Sequence, residues 1–263
     1  MTCVPGVIEY NGARIQLLDT PGIIEGASDG KGRGKQVIAI ARTADLIVMM
    51  LDATKGDVQK ELLTRELEAM GVRLNKRRPD IYFNPLGGSS SSGICKKGAA
   101  GCGVAFTHTV PLSHLDGEMV KDILREYKIN ECEVIVKEDV TVEEFIDVVE
   151  GNRVYVPCLY VYNKIDTISI EDLDRLASQE MSVVISCEMD LNLDFLLERI
   201  WEGLDLIRVY TKKRGEAPDF VKPMIVRNGS TVKQVCHMLH RDLAGNFKYG
   251  LVWGRSAKHT PQI

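Results

Sequence analysis

The stretch Leu159-Tyr160-Val161-Tyr162-Asn163-Lys164-Ile165-Asp166 governs the reading of this chain. An apolar run leads straight into Asn-Lys-x-Asp, the pattern of a short buried strand that ends in a loop rich in polar groups. A second stretch repeats the arrangement nearer the start, where Ile15, Leu17 and Leu18 lead into Asp19-Thr20-Pro21-Gly22. In open α/β sheets ligands lie beyond the carboxyl ends of the strands, so both polar segments stand where a nucleotide is held. Asp166 can accept two hydrogen bonds, from a ring N–H and an exocyclic amine, a pairing that guanine offers and adenine does not. The two stretches therefore read as the two ends of a guanine-nucleotide site. The phosphate-cradling G-x-x-x-x-G-K-[ST] loop that belongs with such motifs does not occur in this sequence.

Working outward, Val7 to Leu18 reads as a β-hairpin turning at Asn11-Gly12, the strongest short hairpin signal. The glycine-rich segment after Gly22 predicts no regular structure and a mobile backbone. A helix is expected from about Lys35 to Thr43, a buried strand from Leu46 to Asp52, and a helix from Asp57 to Met70 ended by Gly71. Leu159 then follows Asp52 by more than a hundred residues, whereas a βαβ crossover takes ~30. A small module inserted over residues 72–156 accounts for the surplus. It carries strands at Ile81 to Phe83, Val104 to Val110 and Cys132 to Lys137, and a helix with Met119, Ile123, Leu124 and Tyr127 on one face. A helix from Val142 to Val149 completes it, with Thr141 and Glu144 at capping-box spacing. Gly87 to Gly103, rich in Gly, Ser, Ala and Lys, reads as a disordered loop.

Beyond Asp166 the pattern gives a helix from Ile170 to Ala177, a strand from Val183 to Ser186 and a helix from Leu193 to Asp205. Strands at Arg208 to Lys212 and Met224 to Arg227, a turn at Asn228-Gly229, a helix from Val232 to Leu243 and a strand from Tyr249 to Trp253 begin a β-grasp module. The face Val232, Val235, Leu239 and Leu243 reads as its core. The expected domains are thus 1–71 and 157–206 for the two parts of the nucleotide domain, 72–156 for the insertion and 207–263 for the β-grasp module.

A net charge of −4 gives no bulk argument for nucleic acid or an anionic membrane. Basic clusters at Arg73 to Arg78 and Lys212 to Arg214 read as solvated faces or local nucleic-acid contacts. The seven scattered cysteines contain no C-x-x-C pair, which fits reduced thiols, and Cys95, Cys102 and His108 match no standard zinc spacing. The longest apolar run, Leu46 to Leu51, is far short of the ~20 residues that span a bilayer.

Five stretches together resemble the developmentally regulated GTP-binding protein (DRG) family of the Obg-like GTPases. They are Val4-Pro5-Gly6-Val7-Ile8-Glu9-Tyr10, Leu18 to Gly26, Leu51-Asp52-Ala53-Thr54-Lys55-Gly56-Asp57, Tyr160 to Asp166, and Tyr210-Thr211-Lys212-Lys213-Arg214-Gly215. The resemblance covers nearly the whole chain. It implies an α/β fold: a P-loop-type G domain, here without its phosphate loop, with an inserted small α+β domain and a C-terminal TGS domain of β-grasp type. An N-terminal helical segment, the phosphate loop and the first switch would precede Met1 in the family, and the β-grasp module stops short of its last strands. The expectation is a chain truncated at both ends.

The resemblance also assigns roles. Asp19 would hold Mg²⁺ through water and the Gly22 amide would reach the γ-phosphate. Asp166 would select guanine, the stem of Lys164 would lie along the base, and Asn163 would tie neighbouring loops together. Ser186 and Cys187 stand where the fifth motif gives a backbone amide to the guanine carbonyl. Taken alone, Asp19 to Gly22 also fits a strand-ending turn, and Asp166 a helix cap. Ile23 replaces the water-orienting glutamine of Ras-like proteins, so slow turnover assisted by a monovalent cation such as K⁺ is implied. The segment Gly26 to Lys35 reads as a second switch. The implied setting is cytoplasmic, with a DRG-family regulatory protein and the ribosome or its RNA as partners and no membrane. The rival expectation is a non-catalytic interaction fragment that keeps the base contacts but cannot hold a triphosphate.

Overall fold

Asn11 and Gly12 take φ of 51° and 81°, the two left-handed residues that let a two-residue turn match the twist of its strands. They join β1 (Val4–Tyr10) to β2 (Ala13–Asp19) in an antiparallel pair running from Tyr10↔Ala13 to Val4↔Asp19. The computed structural model describes residues 4–20, 39–85, 103–213, 215–254 and 257–259. Gly22, Ile23, the segment Gly26 to Lys35, residues 35–38 of the helix expected from Lys35 and the loop Gly87 to Gly103 (save Gly103 itself) lie outside the described residues. The reading of β2 as a buried strand is corrected: Ala13 and Ile15 are buried but Leu17 and Leu18 are exposed. The hairpin is a two-stranded sheet of its own, so nothing described covers the distal half of β2.

After β3 (Ile47–Asp52) and a 3-10 turn at Ala53–Lys55, α1 (Asp57–Ala69) runs to the left-handed Gly71, φ 87°. The described residues form two compact units, 4–20 with 48–54 and 159–259, and 39–47 with the described part of 55–158.

The second unit contains β4 (Val72–Leu74), β5 (Ile81–Pro85), β6 (Val104–His108), α2 (Gly117–Glu126), β7 (Cys132–Val136), α3 (Val142–Glu150) and β8 (Val154–Val156). β7 is the central strand, antiparallel to β5 and parallel to β6. Its Cys132, Val134 and Val136 cluster with Val120, Leu124 and Phe145 of the helices, all fully buried. Each such side chain contributes roughly 1.5–3 kcal/mol by leaving water. The face assigned to α2 is borne out at Leu124 and at Ile123, which packs against this core, and corrected at its other two positions. Val120 and Leu124, four apart, point into this core, while Met119 and Tyr127 are exposed. Tyr127 caps the helix and its hydroxyl donates to Glu150 Oε1 at 2.9 Å. α3 has the expected capping box, with Glu144 N donating to Thr141 Oγ1 at 3.3 Å and Thr141 N to Glu144 Oε2 at 2.9 Å. Unforeseen was the parallel pairing of β4 with β8, Val72↔Val154 to Leu74↔Val156.

In the first unit β9 (Cys158–Asn163), α4 (Ile170–Ala177), β10 (Ser182–Val184) and α5 (Leu193–Gly203) follow. The sheet order is β10-β9-β3 with β10 parallel to β9. Every residue of β9 from Cys158 to Tyr162 is buried, as a central strand with both faces covered requires.

β11 (Leu206–Val209) and β12 (Met224–Arg227) pair antiparallel before α6 (Val232–Leu239) and the short α7 (Arg241–Gly245). The single helix expected to residue 243 is broken at His240, which is extended at φ −163° and ψ 138°. Its Nδ1 accepts from Asp242 N and caps α7 instead. The core face assigned to this helix is also corrected: α6 has no buried residue, and Val232 and Leu239 are 45% and 46% exposed. The strand expected at 249–253 is reduced, among the described residues, to a single β-bridge position at Val252. Among the described residues β11 and β12 are the paired strands of this module.

Candidate functional site

The carboxyl ends of β3, β9 and β10 carry a connected set of polar side chains. β9 ends at Asn163, and Lys164 takes the left-handed conformation, φ 68°, which turns the chain sharply out of the strand. The Asn163 side chain anchors this turn: its Oδ1 accepts from Lys164 N at 2.8 Å and from Cys187 N at 3.1 Å. Two loops from neighbouring strands thus share one amide oxygen. Asp166 lies in the following 3-10 turn, Ile165–Thr167, and is exposed. Its Oδ1 accepts from Ser186 Oγ at 2.6 Å.

Ser186 is fully buried, and its hydroxyl also accepts from Met189 N at 3.3 Å. Its backbone is bridged to Leu191, which closes the loop after β10. Asn192, left-handed at φ 62°, donates from its side chain to Val184 O at 2.8 Å and fixes the exit toward α5. Among the described residues Asp166 Oδ2 takes no protein hydrogen bond, so the exposed residue keeps acceptor capacity while Ser186 holds its other oxygen.

Two residues that the motif reading did not single out complete the set. Asp52, the last residue of β3, accepts from Lys164 Nζ through Oδ2 at 2.7 Å. Its Oδ1 accepts from Thr54 N at 3.0 Å and Thr54 Oγ1 at 2.7 Å. The Lys164 ammonium, then the Thr54 hydroxyl and amide, hold the Asp52 carboxyl well below the usual carboxylate range, and Asp52 in turn pushes the Lys164 ammonium up. Both groups are therefore charged at neutral pH. A polar residue ending an apolar strand was the available signal for Asp52, the same one that marked Asp19 and Asn163.

Asp19 stands apart from this set. It is the exposed last residue of β2, opposite Val4, on the separate hairpin sheet. Gly22 lies outside the described residues. Among the described residues no group of three potential ligands could enclose a metal ion, and no helix is long and apolar enough to cross a membrane.

Comparison with known proteins accounts for the whole chain. Residues 2–84 match the family described as 50S ribosome-binding GTPase, residues 101–206 the C-terminal region of the MMR_HSR1 domain, and residues 207–262 the TGS domain. Fold and matches together define a G-domain protein with an extension region and a C-terminal TGS domain. Developmentally-regulated GTP-binding protein 2 of Homo sapiens is 60% identical over 262 residues, which is 100% of this chain and 68% of the relative. The Dictyostelium discoideum homologue is 57% identical over 262 residues, 68% of its length, and Developmentally-regulated G-protein 2 of Arabidopsis thaliana is 53% identical over 265 residues, 63% of its length. The chain belongs to the developmentally regulated GTP-binding protein family.

Proposed function

We propose that this chain is a guanine-nucleotide switch whose base-binding half is built by Asn163, Lys164, Asp166, Ser186 and Cys187. The observation that carries the reading is the Ser186 Oγ to Asp166 Oδ1 hydrogen bond of 2.6 Å. It orients a carboxylate whose remaining acceptor capacity matches the N1–H and N2–H donors of guanine. Asn163, by bridging the two loops, keeps the Cys187 segment within reach of the guanine carbonyl. The Lys164 stem forms one wall of the base slot.

Asp19 and Gly22 belong on this reading to the phosphate half. A single exposed carboxylate at Asp19 fits Mg²⁺ contacted through water rather than an all-protein cage. A monovalent cation such as K⁺ would assist turnover where Ile23 offers no group to orient water. The working setting is the cytoplasm, on translating ribosomes, beside a regulatory protein of the DRG family.

The test is a titration of the chain with GDP and with xanthosine diphosphate. Asp166→Asn exchanges an acceptor for a donor, so preference moves from guanine toward xanthine. An Asp166→Asn protein that still prefers GDP overturns the assignment.

A second reading, a non-catalytic interaction protein, is favoured by one observation: Asp19, the carboxylate assigned to the phosphate half, lies on the separate hairpin sheet and not with the connected base-side set. Two hydrogen bonds to a carboxylate, at about 1.5 kcal/mol each, give about 3 kcal/mol. Micromolar binding needs about 8 kcal/mol, so on this reading a fluorescent GTP analogue with Mg²⁺ binds weaker than micromolar and is not hydrolysed. Micromolar affinity removes this second reading.

A further inference from the structure

Lys164 follows β9 in a left-handed turn and is 59% exposed. A long, flexible side chain on such a turn samples many rotamers, and fixing it against a ligand opposes binding by up to about 2 kcal/mol. In this structure it is not left to wander. Its ammonium is 2.7 Å from Asp52 Oδ2, on a carboxylate that is only 18% exposed and whose other oxygen is held by two donors of Thr54. Asp52 is thus a fixed post, with orientation set from its own strand end, that catches a residue from the neighbouring strand.

We infer that Asp52, oriented by Thr54, is a positioning residue for nucleotide binding: it ties down the Lys164 ammonium so that the side-chain stem is already laid out as a wall of the base slot. The inference rests on the base-binding reading above and adds to it a cause of preorganisation. It also assigns the lysine charge. With its ammonium spent on Asp52, Lys164 acts on the base through its methylenes and not as a counter-charge to phosphate.

A purely structural role for Asp52 would be to hold the turn at Thr54, and Asp52→Asn retains an acceptor for that purpose while removing the anion facing Lys164. Lys164→Met keeps an unbranched stem but removes the ammonium. Titration of the full 263-residue chain with GDP, followed through the H8 and H1′ proton signals of the nucleotide, yields affinities for the unaltered chain, both single variants and the double variant. Circular dichroism confirms that each is folded.

Loss of the tie predicts that Asp52→Asn and Lys164→Met each weaken GDP by about tenfold, a 1.4 kcal/mol effect, and that the double variant is no weaker than either single one. Lys164→Arg, which can still reach the carboxylate, restores most of the affinity. If Asp52→Asn binds GDP as the unaltered chain does, or if the two losses simply add, the positioning role is overturned and the base-binding reading stands. If the unaltered chain itself shows no saturable GDP signal, the base-binding reading falls and this inference falls with it.

Discussion

At Asp147 one carboxylate, 5% exposed, receives hydrogen bonds from two arginines. Arg73 Nε reaches Oδ2 at 2.6 Å and Arg73 Nη2 reaches Oδ1 at 2.8 Å, while Arg153 Nε reaches Oδ1 at 2.9 Å. Arg73 Nη1 also donates to Glu68 O at 2.8 Å, and Arg153 pairs with Glu150. The first basic residue of the Arg73 to Arg78 cluster is therefore engaged inside the fold, not offered to an external anion. Removing the shared carboxylate strands two half-buried guanidiniums, and Asp147→Ala should lower stability by about 3–5 kcal/mol, read from the urea midpoint. Nearby Tyr155 has a buried hydroxyl with no partner among the described residues, and burial pushes its pKa up. Because that hydroxyl lost water and gained nothing, Tyr155→Phe should be neutral or stabilising by about 1 kcal/mol. A clear loss of stability in the same denaturation measurement would contradict it.

Among the elements, α3 draws most of its definition from its own sequence. Thr141 and Glu144 satisfy each other's backbone donors and Gly151, φ 63°, ends the helix. Thr141→Ala should cost about 1 kcal/mol, with faster amide exchange confined to the first turn of α3. Elements with such local instructions were legible beforehand: the Asn11-Gly12 hairpin, α1 ending at Gly71, and α4 beginning after Ser169, whose hydroxyl accepts from Asp172 N. Those whose limits depend on distant partners were not. β4 and β8 are three residues each and exist through each other. The buried side of α2 is decided by where β7 lies, so Val120 and not Met119 faces inward. His240 carries no proline or glycine signal, yet the helix stops there. Likewise the Asn-Lys-x-Asp segment stood out by position, whereas the partnership of Asp52 with Lys164 joins two strands whose adjacency no local pattern states.

At the scale of the molecule, each of the two compact units has its own buried residues, and Phe145 is at the centre of one of them, fully buried. Phe145→Ala should cost that unit about 3–5 kcal/mol. Hydrogen exchange should show the loss of protection over β5, β6, β7, α2 and α3, with the amides of β9 and β10 unchanged. A uniform loss across both units would show them to be one cooperative body. The parallel β4–β8 pair carries a further consequence, for the order of events in folding. Val72 and Val154 are far apart in the chain, so a bare chain must close a long loop before three residues of ladder reward it. Collapse of the intervening sheet and helices onto Phe145 shortens that search, and the pair then closes late, with the Asp147 clasp among the last contacts to form. Weakening the clasp should accordingly speed unfolding and leave the refolding rate nearly untouched.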